Sequence, residues 1–477
     1  MVPPTAAVLA GAVLAQFGCG SVSGIVSVLS DLDVLFYSNP IDGRALRVYY
    51  AAMAAFGVAA AATGATFGRY STRHVCWAGA IAVVAGYALA ASGVHNAAPL
   101  RTAVGFGLHG LGLGTCYLVS LANALQWCPD HRVGLVGGLL ATAFGLGAIA
   151  SSKALPPAAA QWGFAQSFLV VGAVVGTALG ISGACLAMPP PPDVVEALVV
   201  DELSPKVAEF HPSSPRPMAG GQDDQVVDRS VRWALRTPEL PFVCVALAGL
   251  VVFGVTLLPR YSLLFVAIFQ QTPTAAARTV LTFGLFNVLG RLLGGAASDA
   301  VGRCGRPLVG SKALFAALLL FAVAVLSAVE RAIDASNFSR FRALVAAYNV
   351  AMGAGFGALP ALVWRLFGRE AFATSFGLVA TGWAAAVVGG GAAFGAQFDR
   401  LLYTKHEPLA QIYSASLRWL VPLTIVGLVA VLLVRTNAED RFSRAYTYQW
   451  SCGGRPVVKL GRKAPIVVEL APGPSEV

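Results

Sequence analysis

Charge is what this sequence has least of. Only 12% of its 477 residues are Asp, Glu, Lys or Arg, about half the usual share of a soluble domain. So few charges cannot cover the surface of a soluble fold of this length, and that class is excluded. Acidic residues are the scarcer kind, 23 against 33 basic ones. None lies well inside an apolar run, which leaves no embedded carboxylate for a dedicated proton path. The eight cysteines (Cys19, Cys76, Cys116, Cys128, Cys185, Cys244, Cys304 and Cys452) are scattered without a CxxC spacing, so neither a zinc site nor a disulfide scaffold is expected. No nucleophile–base or metal-ligating constellation stands out. An enzyme is not expected, nor a cofactor or metal. The net charge of +10 is spread over short loops, which argues against nucleic acid as a partner.

What the chain does have is apolar length. Hydrophobic residues make up 57% and mean hydropathy is +0.70. Runs of about 20 apolar residues, enough to cross a hydrocarbon core, recur at roughly 5–30, 47–67, 75–94, 100–126, 133–155 and 164–188. A second set lies at roughly 240–260, 275–297, 311–329, 341–364, 371–396 and 417–435. The segment MVPPTAAVLAGAVLAQFGCG has no basic flank, and its apolar stretch is too long for a signal sequence; it reads as the first membrane helix. The expectation is an all-α, multi-pass integral membrane protein, monomeric in the bilayer, with twelve transmembrane helices in two six-helix bundles. Residues 1–188 form the first bundle and 239–435 the second. Between them, 189–238 opens with Pro189 to Pro192 and is rich in Pro, Ser and Asp, the composition of a flexible cytosolic linker. Residues 436–477 read as a polar, basic cytosolic tail. With both ends inside, short inner loops hold eight Lys or Arg and outer loops twelve, and long segments count little in the positive-inside rule. Loop charge does not by itself decide the orientation.

The two halves echo each other. The second and eighth helices both run into a basic turn, Gly64 to Arg73 in one half and Gly295-Ala-Ala-Ser298-Asp299-Ala-Val-Gly302-Arg303 in the other. The fourth and tenth share a glycine ladder, Gly110, Gly112 and Gly114 against Gly353, Gly355 and Gly357. In the next helix of each half a glycine precedes an aromatic by six residues, Gly138–Phe144 and Gly377–Trp383. Equal order in both halves fits parallel repeats with a substrate site between them. The ladders are packing surfaces; a GxGxG inside an apolar helix has no preceding strand and no exposed amides to cradle a phosphate.

These features resemble the major facilitator superfamily, whose loop signature is similar to Gly295, Ser298, Asp299, Gly302 and Arg303, a candidate gating loop. The first-half copy has Gly68 where the acidic residue normally sits. More specifically, GLGLGTCYLVSLANALQWCPDHRVGLVGGLLATAFGLGA (110–148), FNVLGRLLGGAASDAVGR (286–303) and GAGFGALPALVWRLFGREAFATSFGLVATGWAA (353–385) are similar to motifs of the oxalate:formate antiporter family and its monocarboxylate-carrying relatives. The resemblance implies a secondary transporter of small organic anions working by alternating access. Without an embedded carboxylate, exchange or a proton bound with the substrate is favoured over a dedicated Asp/Glu pathway.

Of the 33 basic residues, only Arg291 lies well inside a span. It precedes Asp299 by eight residues, about 12 Å of helix. A charge there costs about 2.5–3.5 kcal/mol unless it faces water or a partner. An unpaired guanidinium facing a cavity suits a carboxylate, whose two oxygens match its planar fork. In the resembled family the arginine of this frame, here Asn287 and Arg291, is a substrate-anion ligand. The bland alternative is that Arg291 bonds backbone carbonyls or snorkels toward Asp299. Oxalate-carrying members place a lysine in the eleventh helix where the alignment puts Trp383. One embedded cation instead of two favours a monoanion such as lactate, pyruvate or formate; otherwise Trp383 only packs. Animal monocarboxylate carriers place a lysine in the first helix, where this chain offers only Gln16 and Cys19. Tyr117 occupies the family's tyrosine position. His109, Asn123, Tyr348 and Asn349 read as helix-joining polar groups. A channel would show charge rings, which are missing from the sequence. A non-transporting sensor, or a carrier of a neutral solute or amino acid with Arg291 structural, stays open.

Overall fold

The structure, a computed structural model, describes residues 5–39, 43–189, 236–303, 306–441, 446–452 and 455–462. Most of the expected linker and the last part of the tail therefore lie outside the described residues.

Ten helical stretches among the described residues are long and apolar enough to cross a membrane. Two of these are double. One breaks at Gly163 and the other at Gly368, whose φ of 77° and 79° suit glycine alone without strain. The twelve helices are α1 (Thr5–Tyr37), α2 (Leu46–Thr66), α3 (Thr72–His95), α4 (Pro99–Gln126), α5 (Val133–Trp162) and α6 (Phe164–Cys185), then α7 (Glu239–Ala267), α8 (Pro273–Gly302), α9 (Pro307–Val329), α10 (338–367), α11 (369–404) and α12 (Leu409–Leu433). Pro99, Pro273 and Pro307 open their helices, where a missing N–H costs nothing.

Several boundaries differ from the sequence expectation: α7 runs on to Ala267 and α11 to residue 404, and three more are informative. Helix α1 continues to Tyr37 through a tighter stretch, Gly20–Val28. Helix α5 runs on past Leu155 through Pro156 and Pro157 to Trp162, since packed neighbours let membrane helices accept proline. Helix α12 starts at Leu409, eight residues early, with the amphipathic stretch Leu409–Arg418.

Glycines set the helix spacing and expose the internal repeat. A Cβ on Gly110 or Gly114 of α4 would strike the carbonyls of Ala52 and Phe56 in α2. A Cβ on Gly353 or Gly357 of α10 would likewise strike those of Asn287 and Arg291 in α8. Ala52 therefore corresponds to Asn287, and Phe56 to Arg291. Close backbone approach of this kind is how membrane helices associate when lipid offers no hydrophobic drive.

Two segments of the tail are folded. Residues Tyr446–Cys452 (β1) and Arg455–Arg462 (β2) pair as an antiparallel hairpin. It docks where α7 begins and α12 ends, with the Tyr448 hydroxyl donating to Leu433 O at 2.7 Å.

Candidate substrate site and inter-bundle tie

Arg291 sits on the face of α8 turned toward α5 and α10, and is 8% exposed. Its Nε donates to Asn287 Oδ1, one turn earlier, at 2.8 Å. Its Nη1 reaches the Ala141 carbonyl of α5, in the opposite bundle, at 2.9 Å. The guanidinium lies 4.8 Å from the Phe356 ring and 5.5 Å from the Phe144 ring, within cation–π range. No ion pair of Arg291 occurs among the described residues. In this conformation the bundles close around Arg291, and a carbonyl and an amide oxygen occupy part of its donor fork.

Trp383 of α11 is 7% exposed, and its Nε1–H has no partner among the described residues. Its ring meets Phe56, Phe144 and Phe356 at centroid distances of 5.4, 5.7 and 5.4 Å. Tyr117 of α4 meets Phe56 and Phe144 at 5.2 and 5.6 Å. The four sequence-expected residues, Arg291, Asn287, Tyr117 and Trp383, thus converge on one aromatic cluster. The repeat organises it: Phe56 and Arg291 are equivalent, as are Phe144 and Trp383, and each first-bundle member packs on a second-bundle one. Thr142 Oγ1, one residue from Ala141, is also buried without a partner. A buried donor left unmade costs about 1–3 kcal/mol, so Trp383 and Thr142 are groups that gain from a polar ligand.

Sequence reasoning missed Phe56 and Phe356, because apolar aromatics are common in every span. Phe56 alone had a signal, its register, since it occupies in α2 the place of Arg291 in α8. Gln16 acts through another residue: its Nε2 donates to Tyr117 O at 2.8 Å and Ser120 Oγ at 2.9 Å, fixing α1 to α4. Asn123 bonds Ala187 O at 3.0 Å. Tyr348 donates to Leu250 O at 2.5 Å, and Asn349 Nδ2 bonds Val345 O at 2.8 Å. His109 lies away from the cluster among Tyr87 and Phe106.

At the linker-side end of α8, Asp299 ties the bundles together. Its two oxygens accept the Gly134 and Leu135 amides, 2.8 and 2.7 Å, at the start of α5, where the free N–H groups of a helix favour an anion. The Arg365 guanidinium of α10 lies 3.2 Å from Asp299 and also bonds Ser298 and Ser311. Gly295 permits the crossing: a Cβ there would come 2.8 Å from Gly138 Cα. Arg303, expected to act with Asp299, remains exposed at the helix end, and Arg365 takes the pairing instead. Trp364 Nε1 to Asp130 Oδ1 at 3.2 Å and Arg369 to Gln126 extend the same tie.

Two pseudo-symmetric helical bundles closed over a buried, acid-free arginine define a membrane carrier. Residues 8–391 match the family model of the Major Facilitator Superfamily, and the chain belongs to that family. It is 23% identical over 380 residues to the "Uncharacterized MFS-type transporter YhjX" of Escherichia coli (strain K12), covering 78% of this chain and 83% of the relative. Among solved structures it resembles the proton:xylose symporter XylE bound to 6-bromo-6-deoxy-D-glucose, with a TM-score of 0.64 and 13% identity over 90% of this chain and 94% of that one. It also resembles an outward-facing bacterial homologue of the iron transporter ferroportin, with a TM-score of 0.59 and 12% identity over 90% and 98%. These two likenesses establish the fold. The protein is a multi-pass integral membrane transporter of this superfamily.

Proposed function

We propose that the protein moves a small organic monoanion, of the size of lactate, pyruvate or formate, between the two faces by alternating access, with anion exchange as the mode. One observation carries this reading: a guanidinium buried without a carboxylate partner among the described residues, on the same Phe144 and Phe356 rings as Trp383, whose N–H is likewise unpartnered. A carboxylate entering the cluster displaces the Ala141 carbonyl from Arg291 and takes both tines of its fork. Asn287 holds Nε and orients the group. Trp383 Nε1 donates to the anion, and Tyr117, Phe56, Phe144 and Phe356 exclude water and strengthen the attraction. Asp299 and Arg365, with Gly295 at the crossing, form the gate on the linker side. Because Arg291 bridges both bundles, trading Ala141 for the anion loosens one cross-bundle bond as cargo binds.

Counterflow in proteoliposomes tests this. Arg291→Gln is expected to abolish carboxylate exchange while the protein remains folded in the membrane, and lactate is expected to exchange better than oxalate. Wild-type exchange by the variant would sink the anion-anchor role. The Ala141 bond supports a second reading, a neutral-solute carrier in which Arg291 is a structural bridge. Uptake of a sugar or amino acid that survives Arg291→Gln would establish it.

A further inference from the structure

A second arginine lies toward the face opposite the linker. Arg260 is 21 residues into α7 from Glu239 and Arg291 is 11 residues short of Gly302, so at 1.5 Å per residue they stand about 15 Å apart along the bundle. Sequence position made Arg260 an ordinary loop cation. The structure instead holds it half-buried in the seam between bundles. Its Nη1 donates to Thr256 O at 2.7 Å, and its Nη2 lies 3.5 Å from Gly391 O in α11. The guanidinium sits 4.6 Å from the Phe394 ring. No ion pair of Arg260 occurs among the described residues.

Around it are hydroxyls that have no partner among the described residues: Tyr50 Oη, Thr256 Oγ1 and Tyr413 Oη. Thr256 and Tyr413 are wholly buried. The Tyr50 hydroxyl crowds Gly391, where a Cβ would touch it, and a Cβ on Gly390 would lie 3.0 Å from Thr256 Oγ1. Tyr413 packs on Phe394 at a centroid distance of 5.9 Å. A widened turn of α11, Ala386–Gly390, lies against this cluster; such turns gather at functional positions in helices. Tyr50 precedes Phe56 on α2 and Gly391 follows Trp383 on α11. The cluster therefore lies about 9–12 Å beyond the aromatic site along the same two helices.

We propose that Arg260, with the Tyr50, Thr256 and Tyr413 hydroxyls, forms a second carboxylate-binding site, through which the anion passes between the far face and Arg291. The guanidinium supplies charge with three of its five N–H donors uncommitted, and the hydroxyls supply the donors that replace the water an entering carboxylate sheds. The inference rests on an anionic cargo, and its test separates the two ideas.

The reconstituted full chain is assayed for lactate counterflow and, in parallel, for modification of individual arginines by phenylglyoxal, mapped by peptide mass spectrometry. Arg260→Gln is expected to raise the lactate KM about tenfold, equivalent to about 1.4 kcal/mol, with the maximal rate kept. Tyr50→Phe raises it less, and Arg260→Lys restores part of the loss. In the Arg291→Gln protein, lactate, formate or chloride still protects Arg260 from modification. If the wild type exchanges no carboxylate, the anion-carrier reading fails, while protection of Arg260 still decides this site. An unchanged KM in Arg260→Gln, or an Arg260 that none of the three anions protects, overturns the proposal.

Discussion

Trp383 shows how much one side chain carries in this molecule. Its indole packs on three rings from both bundles, while its N–H is buried without an acceptor. Trp383→Phe keeps most of the packing and removes the donor. Losing one hydrogen bond to a charged ligand is worth about 1.5–3 kcal/mol, so the KM for the anion is expected to rise at least about tenfold. Thermal stability should hold or rise, because an unsatisfied buried donor has gone. Counterflow kinetics and a melting curve on the same preparation check both halves of this. Trp383→Lys places a second cation beside Arg291, and the oxalate-to-lactate uptake ratio is expected to rise. Arg291 was legible in the sequence because a lone charge in an apolar span has few explanations. Its ring neighbours were not legible, since which of the 26 phenylalanines face it depends on the rotation of each helix. The glycine register marked only Phe56, the counterpart of Arg291 in the repeat, which packs on Phe144 and Trp383.

Helices were easier to read than the bonds between them. Twelve spans follow from apolar length, and the repeat follows from the two glycine ladders, because backbone contact at Gly110, Gly114, Gly353 and Gly357 forbids any side chain there. The α5–α8 tie was half legible. The loop signature marked Asp299, but its cation comes from Arg365, 66 residues away, and no local spacing announces such a pair. Asp299→Asn neutralises a pair whose side chains are only 5% and 11% exposed. Breaking a buried pair by removing one charge costs about 3–5 kcal/mol, and here only in the conformation where the linker-side ends touch. About 1.4 kcal/mol already shifts such a balance tenfold.

Cys128, in the α4–α5 turn, is a native reporter of that balance. Burial pushes its thiol up to about 11 from the ordinary 9.0, more than the nearby Arg369 lowers it. Loss of the Asp299 charge, which itself helps to raise the thiol, and exposure on opening of the tie both return it toward the ordinary value. Maleimide labelling of Cys128 at neutral pH is therefore expected to be much faster in Asp299→Asn than in the wild type. The raised value also sets a pH dependence. A thiol kept protonated by the closed fold contributes stability below the ordinary thiol range, and that contribution is lost as pH rises from about 9 toward 11. Labelling rates followed upward from neutral pH should rise at lower pH in the variant than in the wild type. Equal rates in both proteins would separate Cys128 from the tie.

At the scale of the whole molecule, the tail is bonded to the membrane core around a buried ion pair. Arg435 Nε lies 2.5 Å from Glu239 Oε1, with the two side chains 3% and 2% exposed, which ties the end of α12 to the start of α7. Arg435 also donates to Asp440 O at 2.9 Å and lies 5.0 Å from the Tyr448 ring. Asp440 in turn accepts the Ser451 amide and hydroxyl at 2.9 and 2.6 Å. Arg441 reaches the Leu366 carbonyl, next to Arg365. The hairpin is thus bonded to the same end of the molecule as the Asp299 tie. Composition hid this, because polar, basic strands outside the bilayer look like any solvated tail until their partners are known. Glu239→Gln keeps the shape of the carboxylate and removes its charge, leaving Arg435 buried beside a neutral amide. The cost is expected at about 3–5 kcal/mol, and the local contacts most easily given up are those of the short hairpin, since two strands alone are marginal in water. Limited proteolysis should then cut within 446–462 much faster than in the wild type, and the melting temperature should fall. Removing the hairpin's own contact instead, by Tyr448→Phe, deletes the 2.7 Å bond to Leu433 without stranding a charge, so a smaller effect in the same direction is expected. If Glu239→Gln lowers the melting temperature yet leaves cleavage in 446–462 unchanged, the ion pair joins α7 to α12 but does not hold the hairpin.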